Sequence, residues 1–110
     1  MTGPLTPGSH VVKVELAIDQ VTIVNPTEAT ATVRCAVGPV RRGARFDHIR
    51  HSAEAIDLEL TQILTYHRSV EELDPVHTAL VTLRGTGVQL LASATPSSHW
   101  QAIRGTNPLP

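Results

Sequence analysis

The sequence is short of aromatic residues and of cysteine. Aromatic residues make up 3% of the 110 residues and consist of Phe46, Tyr66 and Trp100. Sheet-based nucleic-acid binders stack bases on several aromatic side chains, so this scarcity argues against a base-stacking surface. The single cysteine, Cys35, excludes an internal disulfide framework. Val, Leu, Ile and Ala are therefore expected to build the core.

The sequence also lacks long apolar runs and sorting signals. No apolar segment reaches the length of a transmembrane helix. Residues 1–10 have neither the basic start nor the apolar stretch of a signal peptide, and their prolines and glycines predict a flexible leader. We therefore expect a cytoplasmic protein with no membrane partner.

Two kinds of functional motif are missing as well. The phosphate-binding pattern G-x-x-x-x-G-K-[ST] occurs nowhere in the chain, so no nucleotide cofactor is expected. The motifs H-E-x-x-H and C-x-x-C are also absent, and the six histidines therefore predict no metal site. We expect no cofactor of any other kind.

The sequence does contain the alternating pattern of an all-β domain. Its 110 residues, 41% of them hydrophobic, suffice for one buried core. We place a β-barrel domain at residues 11–91, followed at residues 92–110 by a closing strand or a flexible tail. Period-two alternation of apolar and polar residues marks the strands. The residues expected to face the core are Val33, Cys35, Val37, Ile56, Leu58, Ala79, Val81 and Leu83.

Residues 55–66 are the ambiguous segment. Apolar residues at positions 56, 58 and 60 indicate a strand, whereas those at 56, 60, 63 and 64 would also form a helical stripe. A strand is favoured because the β-prone sequence continues to Tyr66. Further along, residues 88–91 are predicted to return as a strand after a glycine turn.

Two blocks of sequence carry a family resemblance. Residues 33–46 read V-R-C-A-V-G-P-V-R-R-G-A-R-F, in which Gly38 breaks a strand and Gly43 closes a basic turn. The block L-D-P-V-H-T-A-L-V-T-L-R-G-T-G follows from Leu73 and contains a strand that runs up to Gly85. Both blocks resemble the second domain of translational GTPases such as elongation factor Tu. In that family a strand ends in Val-x-x-Gly-x-Val, and an acidic loop precedes a strand ending in Leu-x-Gly.

The resemblance implies both a fold and a role. The fold is a small closed Greek-key β-barrel of six or seven strands, here expected as a stand-alone domain. The role is that of a non-enzymatic binding module, because in the family this barrel helps bind the aminoacylated end of tRNA or the ribosome alongside other domains. Gly38, Gly43 and Gly85 are the expected turn glycines.

The charge distribution selects a candidate contact site. Residues 34–51 carry five arginines and one aspartate, a local charge of +4, whereas the rest of the chain carries −5. Arg41, Arg42 and Arg45 surround one tight turn, where guanidinium groups could form bidentate bonds to phosphate or carboxylate. The predicted partner is a protein or an RNA with an acidic or phosphate surface, and any RNA contact would be to phosphates.

A second hypothesis belongs to a different functional class. His67, Asp74 and His77 lie in or beside one acidic loop. Imidazole and carboxylate groups can exchange protons or bind ligands, so these residues would serve a small ligand-binding or enzymatic barrel. Surface histidines and solvated acids are the simpler interpretation of the same loop.

Overall fold

The computed structural model describes residues 12–50, 53, 55–92 and 101–108 of the chain. Residues 1–10, where a leader is expected, lie outside the described residues. In chain order the elements are the strands β1 (Lys13–Asn25), β2 (Glu28–Val37), β3 (Val40–Arg41), β4 (Arg45–Ile49), β5 (Ala55–Thr65), β6 (Arg68–Val70), β7 (Glu72–Leu73) and β8 (Thr78–Thr86), the helix α1 (Val88–Ala92), and the strand β9 (Gln101–Thr106).

Six of these strands close into an antiparallel barrel, which confirms the predicted all-β fold. The order around the barrel is β1, β2, β8, β5, β4 and β9, and β9 pairs back with β1. Strand β2 lies beside β8, three barrel strands later in the chain, which is the Greek-key arrangement. Strand β6 extends β5, and β3 pairs with β7 in a separate two-stranded sheet.

Aliphatic side chains and Phe46 fill the barrel interior. Seven of the eight predicted core residues are buried, but Val37 is 49% exposed, so that prediction is wrong. Leu16 pairs with Cys35, whereas Glu15 pairs with Val37, which leaves one extra residue in β2. This β-bulge reverses the alternation, so Val37 faces outward beside Glu15.

Strand β5 confirms the strand prediction for residues 55–66 and explains the helical stripe. A register shift between Leu60 and Gln62 in the pairing with β8 makes Thr61 an extra residue. Ile63 is therefore buried three residues after Leu60. In the sequence alone, that spacing is also the spacing of a helix.

The prediction of a strand at residues 88–91 is wrong, because they belong to α1. Gly87 has a φ of 97° and turns the chain out of β8. Val88 and Leu91 lie three residues apart on one side of the helix, and both are buried. The helix packs against β1 and covers part of one end of the barrel.

The two ends of the barrel carry different elements. One end, which we call the turn end, has the turn at residues 42–43, the β3–β7 sheet and the tip of the β5–β6 hairpin. The opposite end has the β1–β2 turn and α1. In the part of the chain that the structure describes, no helix is both long and apolar enough to cross a membrane.

Candidate functional site

The predicted basic turn is held by main-chain hydrogen bonds on both sides. Gly43 has a φ of 98°, a conformation that glycine adopts at little cost. Its N–H donates to the Leu60 carbonyl at 2.7 Å, and the Leu60 N–H donates back to the Ala44 carbonyl at 2.8 Å. On the other side, the Arg42 N–H donates to the Glu71 carbonyl at 2.8 Å. These bonds fix the turn to β5 and to the residue before β7.

Two of the three predicted contact arginines pair with carboxylates of the chain itself. The Arg42 guanidinium lies 3.1 Å from the Glu71 carboxylate. Arg45 lies 3.3 Å from Glu59 and 3.5 Å from Asp57. These side chains are between 47% and 69% exposed, so each pair contributes at most about 1 kcal/mol. Acids that are distant in the sequence thus balance much of the local positive charge.

Arg41 stands in a different environment, beside Asn107. The Arg41 N–H donates to Asn107 Oδ1 at 2.8 Å. Asn107 Nδ2 donates to the Pro39 carbonyl at 2.9 Å, and the Asn107 N–H donates to the Val12 carbonyl at 2.9 Å. One asparagine therefore links the strand before the turn to the start of β1, where Lys13 follows.

A cleft of about 460 Å³ opens on the outer surface next to this link, a volume in the range of small-ligand pockets. It forms where β4, β9, β1 and the end of β2 lie side by side. In the pairing with β9, a register shift between Phe46 and His48 makes Asp47 an extra residue of β4, and this bulge borders the cleft. The lining residues are Lys13, Val14, Glu15, Val37, Asp47, His48, Arg104, Gly105 and Thr106.

Glu15, in the wall of the cleft, pairs with two arginines. Its side chain is only 14% exposed. Arg104 Nε donates to Glu15 Oε1 at 3.0 Å, and the Arg50 guanidinium lies 3.6 Å from Oε2. Sequence reasoning missed the cleft, because its lining comes from four separate segments and no motif links Lys13, His48 and Arg104. The only sequence signal was the outward position of Glu15 in an alternating strand.

The alternative histidine site is dispersed over exposed positions at the turn end. His67 lies in the tip of the β5–β6 hairpin, with a φ of 66°. Asp74 and His77 lie in the loop before β8, where the His77 N–H donates to the Asp74 carbonyl at 3.2 Å. All three side chains are exposed. Within the described residues, no group of three or more His, Cys, Asp or Glu side chains could hold a metal ion.

Gly38 and Gly85 lie where another group approaches the main chain closely. A methyl group added at Gly38 would meet Cys35 Sγ and the Val40 nitrogen. One added at Gly85 would meet the Asp57 carbonyl of β5. Cys35 itself is fully buried, and burial raises the pKa of its thiol. The thiol therefore stays protonated and packs as a small apolar group.

No model of a known protein family matches this sequence, and no curated protein matches it either. The functional argument therefore depends on the residues and geometry described above.

Proposed function

We propose that this chain is a non-enzymatic binding module, a stand-alone barrel like the second domain of translational GTPases, which works in the cytoplasm. Its partner is a protein or an RNA that presents carboxylates or phosphates to the basic turn of Arg41, Arg42 and Arg45. One observation carries the proposal. A turn fixed by main-chain hydrogen bonds presents three exposed arginines at one end of a closed barrel.

The ion pairs of the turn are compatible with binding. Arg42 and Arg45 remain 47% and 59% exposed while paired, so a partner can approach both guanidinium groups. A carboxylate or phosphate that binds an arginine in bidentate fashion can replace the weak contact to Glu71 or Glu59. The displaced carboxylate returns to water, so no buried charge is left without a partner.

The barrel fold supports the proposal of a binding module, but it does not identify the partner. A closed Greek-key barrel is the fold that the family resemblance implies. Small barrels of this kind serve many unrelated functions, so the fold by itself does not select a ligand. The exposed and dispersed positions of His67, Asp74 and His77 give no support to a reaction, and we propose none.

The test is to change Arg41, Arg42 and Arg45 to Ala together and to measure partner capture from the native cell. Capture should be lost while the far-UV circular dichroism spectrum stays unchanged, because all three side chains are exposed. If the captured partner is a single-stranded RNA held by three phosphate contacts, the salt slope of binding should be about −2.

A matched control changes Arg68 and Arg84 to Ala, since both are exposed arginines outside the turn. This control should retain capture. Equal capture by the folded triple variant and the wild type would refute the proposal and leave the turn as a solvated loop.

A further inference from the structure

We infer that the partner is an acidic segment of another protein, whose carboxylates bind between Lys13 and Arg41 while the segment continues into the cleft beside His48. This inference rests on the proposed function and narrows it to one class of partner. It also makes Lys13 a main contact residue in place of Arg45, although Lys13 lies far from the basic turn in the sequence.

Four arginines of the chain are already paired with its own carboxylates. Arg42, Arg45, Arg50 and Arg104 each lie within 4 Å of a carboxylate of the chain. Lys13 and Arg41 form no ion pair with the acids of the described residues. Glu54 is the one Asp or Glu residue of the sequence outside the described part of the chain. Lys13 and Arg41, like Arg68 and Arg84, are therefore available to a partner without competition from the described acids.

The fold brings the main chains at Lys13 and Arg41 close together. Lys13 pairs with Thr106 in the β1–β9 ladder, and Asn107 follows directly. Asn107 accepts the Arg41 N–H and donates its own N–H to the Val12 carbonyl. One short segment thus connects the main chains at Lys13 and Arg41. An anion over Asn107 would meet positive charge on both sides.

The adjoining cleft combines apolar, hydrogen-bonding and charged groups. Val37 is 49% exposed on its wall, and Val12 is 51% exposed beside it, so the surface offers apolar contact as well as charge. His48 and Thr106 supply hydrogen-bonding groups, and Asp47 supplies an exposed carboxylate. A peptide suits this mixture, because it alternates carboxylate side chains with amide N–H donors and apolar groups.

The same mixture disfavours a nucleic acid strand. A phosphodiester chain carries one negative charge at every nucleotide, and its affinity comes from neutralising many of them. Here Glu15, Asp47 and Glu59 lie beside the cations, and a strand charged at every nucleotide would place phosphates against them, whereas a peptide can place uncharged residues there. In the described residues the one exposed aromatic side chain is Tyr66, on the hairpin tip, which leaves the cleft without a base-stacking surface.

The experiment measures the binding of a fluorescein-labelled Asp- and Glu-containing peptide to the full chain by fluorescence anisotropy. A peptide with Asn and Gln at the same positions and a single-stranded RNA of equal charge serve as comparison probes. The variants are Lys13→Met and Arg41→Gln, with Arg84→Gln as the matched control because Arg84 is an exposed arginine outside the turn. Circular dichroism checks that each variant is folded.

We expect the acidic peptide to bind and the Asn/Gln peptide not to bind, with affinity that falls as salt rises. Lys13→Met and Arg41→Gln should each weaken binding about two- to fivefold, which is the range of an exposed charge contact. Arg84→Gln should leave the affinity unchanged.

Each contrary result has a distinct meaning. If Arg41→Gln weakens binding and Lys13→Met does not, the proposed function stands and this inference falls. If the RNA binds more tightly than the acidic peptide, the assigned partner class is wrong. If neither probe binds, the inference is overturned, whereas capture of a partner from cells through the three arginines would still support the module.

Discussion

Among the described residues, Val76 has the least favourable main-chain conformation for its type. It has a φ of 66°, and its side chain is 76% exposed. A β-branched side chain in this left-handed region crowds the main chain. Two hydrogen bonds hold the loop in place, since the Val76 N–H donates to the Cys35 carbonyl at 2.8 Å and the Cys35 N–H donates to the His77 carbonyl at 2.9 Å.

Replacing Val76 by Gly should therefore raise the free energy of unfolding by about 0.5–1 kcal/mol, because relief of left-handed strain outweighs the added entropy of the unfolded chain. Urea denaturation measures the change. The matched control is Val24→Gly, at another exposed valine, which lies in β1 at ordinary strand angles and should lose stability. A loss at Val76 equal to that at Val24 would show that the loop is not strained.

Sequence patterns predicted single residues well wherever a local rule applied. Gly43 has the positive φ that a turn glycine predicts, and Cys35 is buried as its alternating position indicates. Val37 was misjudged because a bulge at Ala36, directly before it, reverses the faces of the strand. No local signal in the sequence marks that bulge, since it arises from pairing with β1.

At the scale of elements, β9 is the strand that completes the barrel. It lies between β1 and β4, and it pairs with β1 from Lys13 to Ile18 and with β4 from Arg45 to Ile49. Its buried Ile103 packs in the common core. Gly105 sits so close to β4 that an added methyl group would meet the Arg45 carbonyl. These contacts indicate that the barrel needs β9 to close.

A chain that ends at Ala92 should therefore fail to fold cooperatively, because β1 and β4 would each lose a hydrogen-bonded neighbour and the core would lose Ile103. Two-dimensional NMR should show poor dispersion of the amide signals. A chain that ends at Pro108, which retains all of β9, is the control and should keep the dispersion of the full chain. A well-dispersed spectrum from the shorter chain would contradict this assignment of β9.

Element types followed from the sequence more reliably than their limits and irregularities. β2, β5 and β8 were predicted from strict alternation, which is a local property. Residues 88–91 were misassigned because four residues carry too little periodicity to separate a strand from one helical turn. The tertiary contact of α1 with β1 decides its conformation, and that contact is not visible in the sequence.

At the scale of the whole molecule, the sequence predicted where the positive charges cluster but not which acids pair with them. The cluster of arginines at residues 34–51 is plain in the sequence, and it lies at the surface. Its partners could not be predicted, since Glu15, Glu59 and Glu71 reach it only through strand pairing or a loop contact. The cleft and the Asn107 link were unpredictable for the same reason, because each joins the two ends of the chain.

We propose that an anionic partner binds at the turn end, around Lys13, Arg41 and Asn107. The most direct test is a two-dimensional amide NMR titration of the full chain with the acidic peptide. We predict saturable shifts that cluster at residues 13, 41–43 and 104–107, and no such shifts with the matched Asn/Gln peptide. Shifts confined to residues 66–77, or no saturable shift anywhere, would contradict the account.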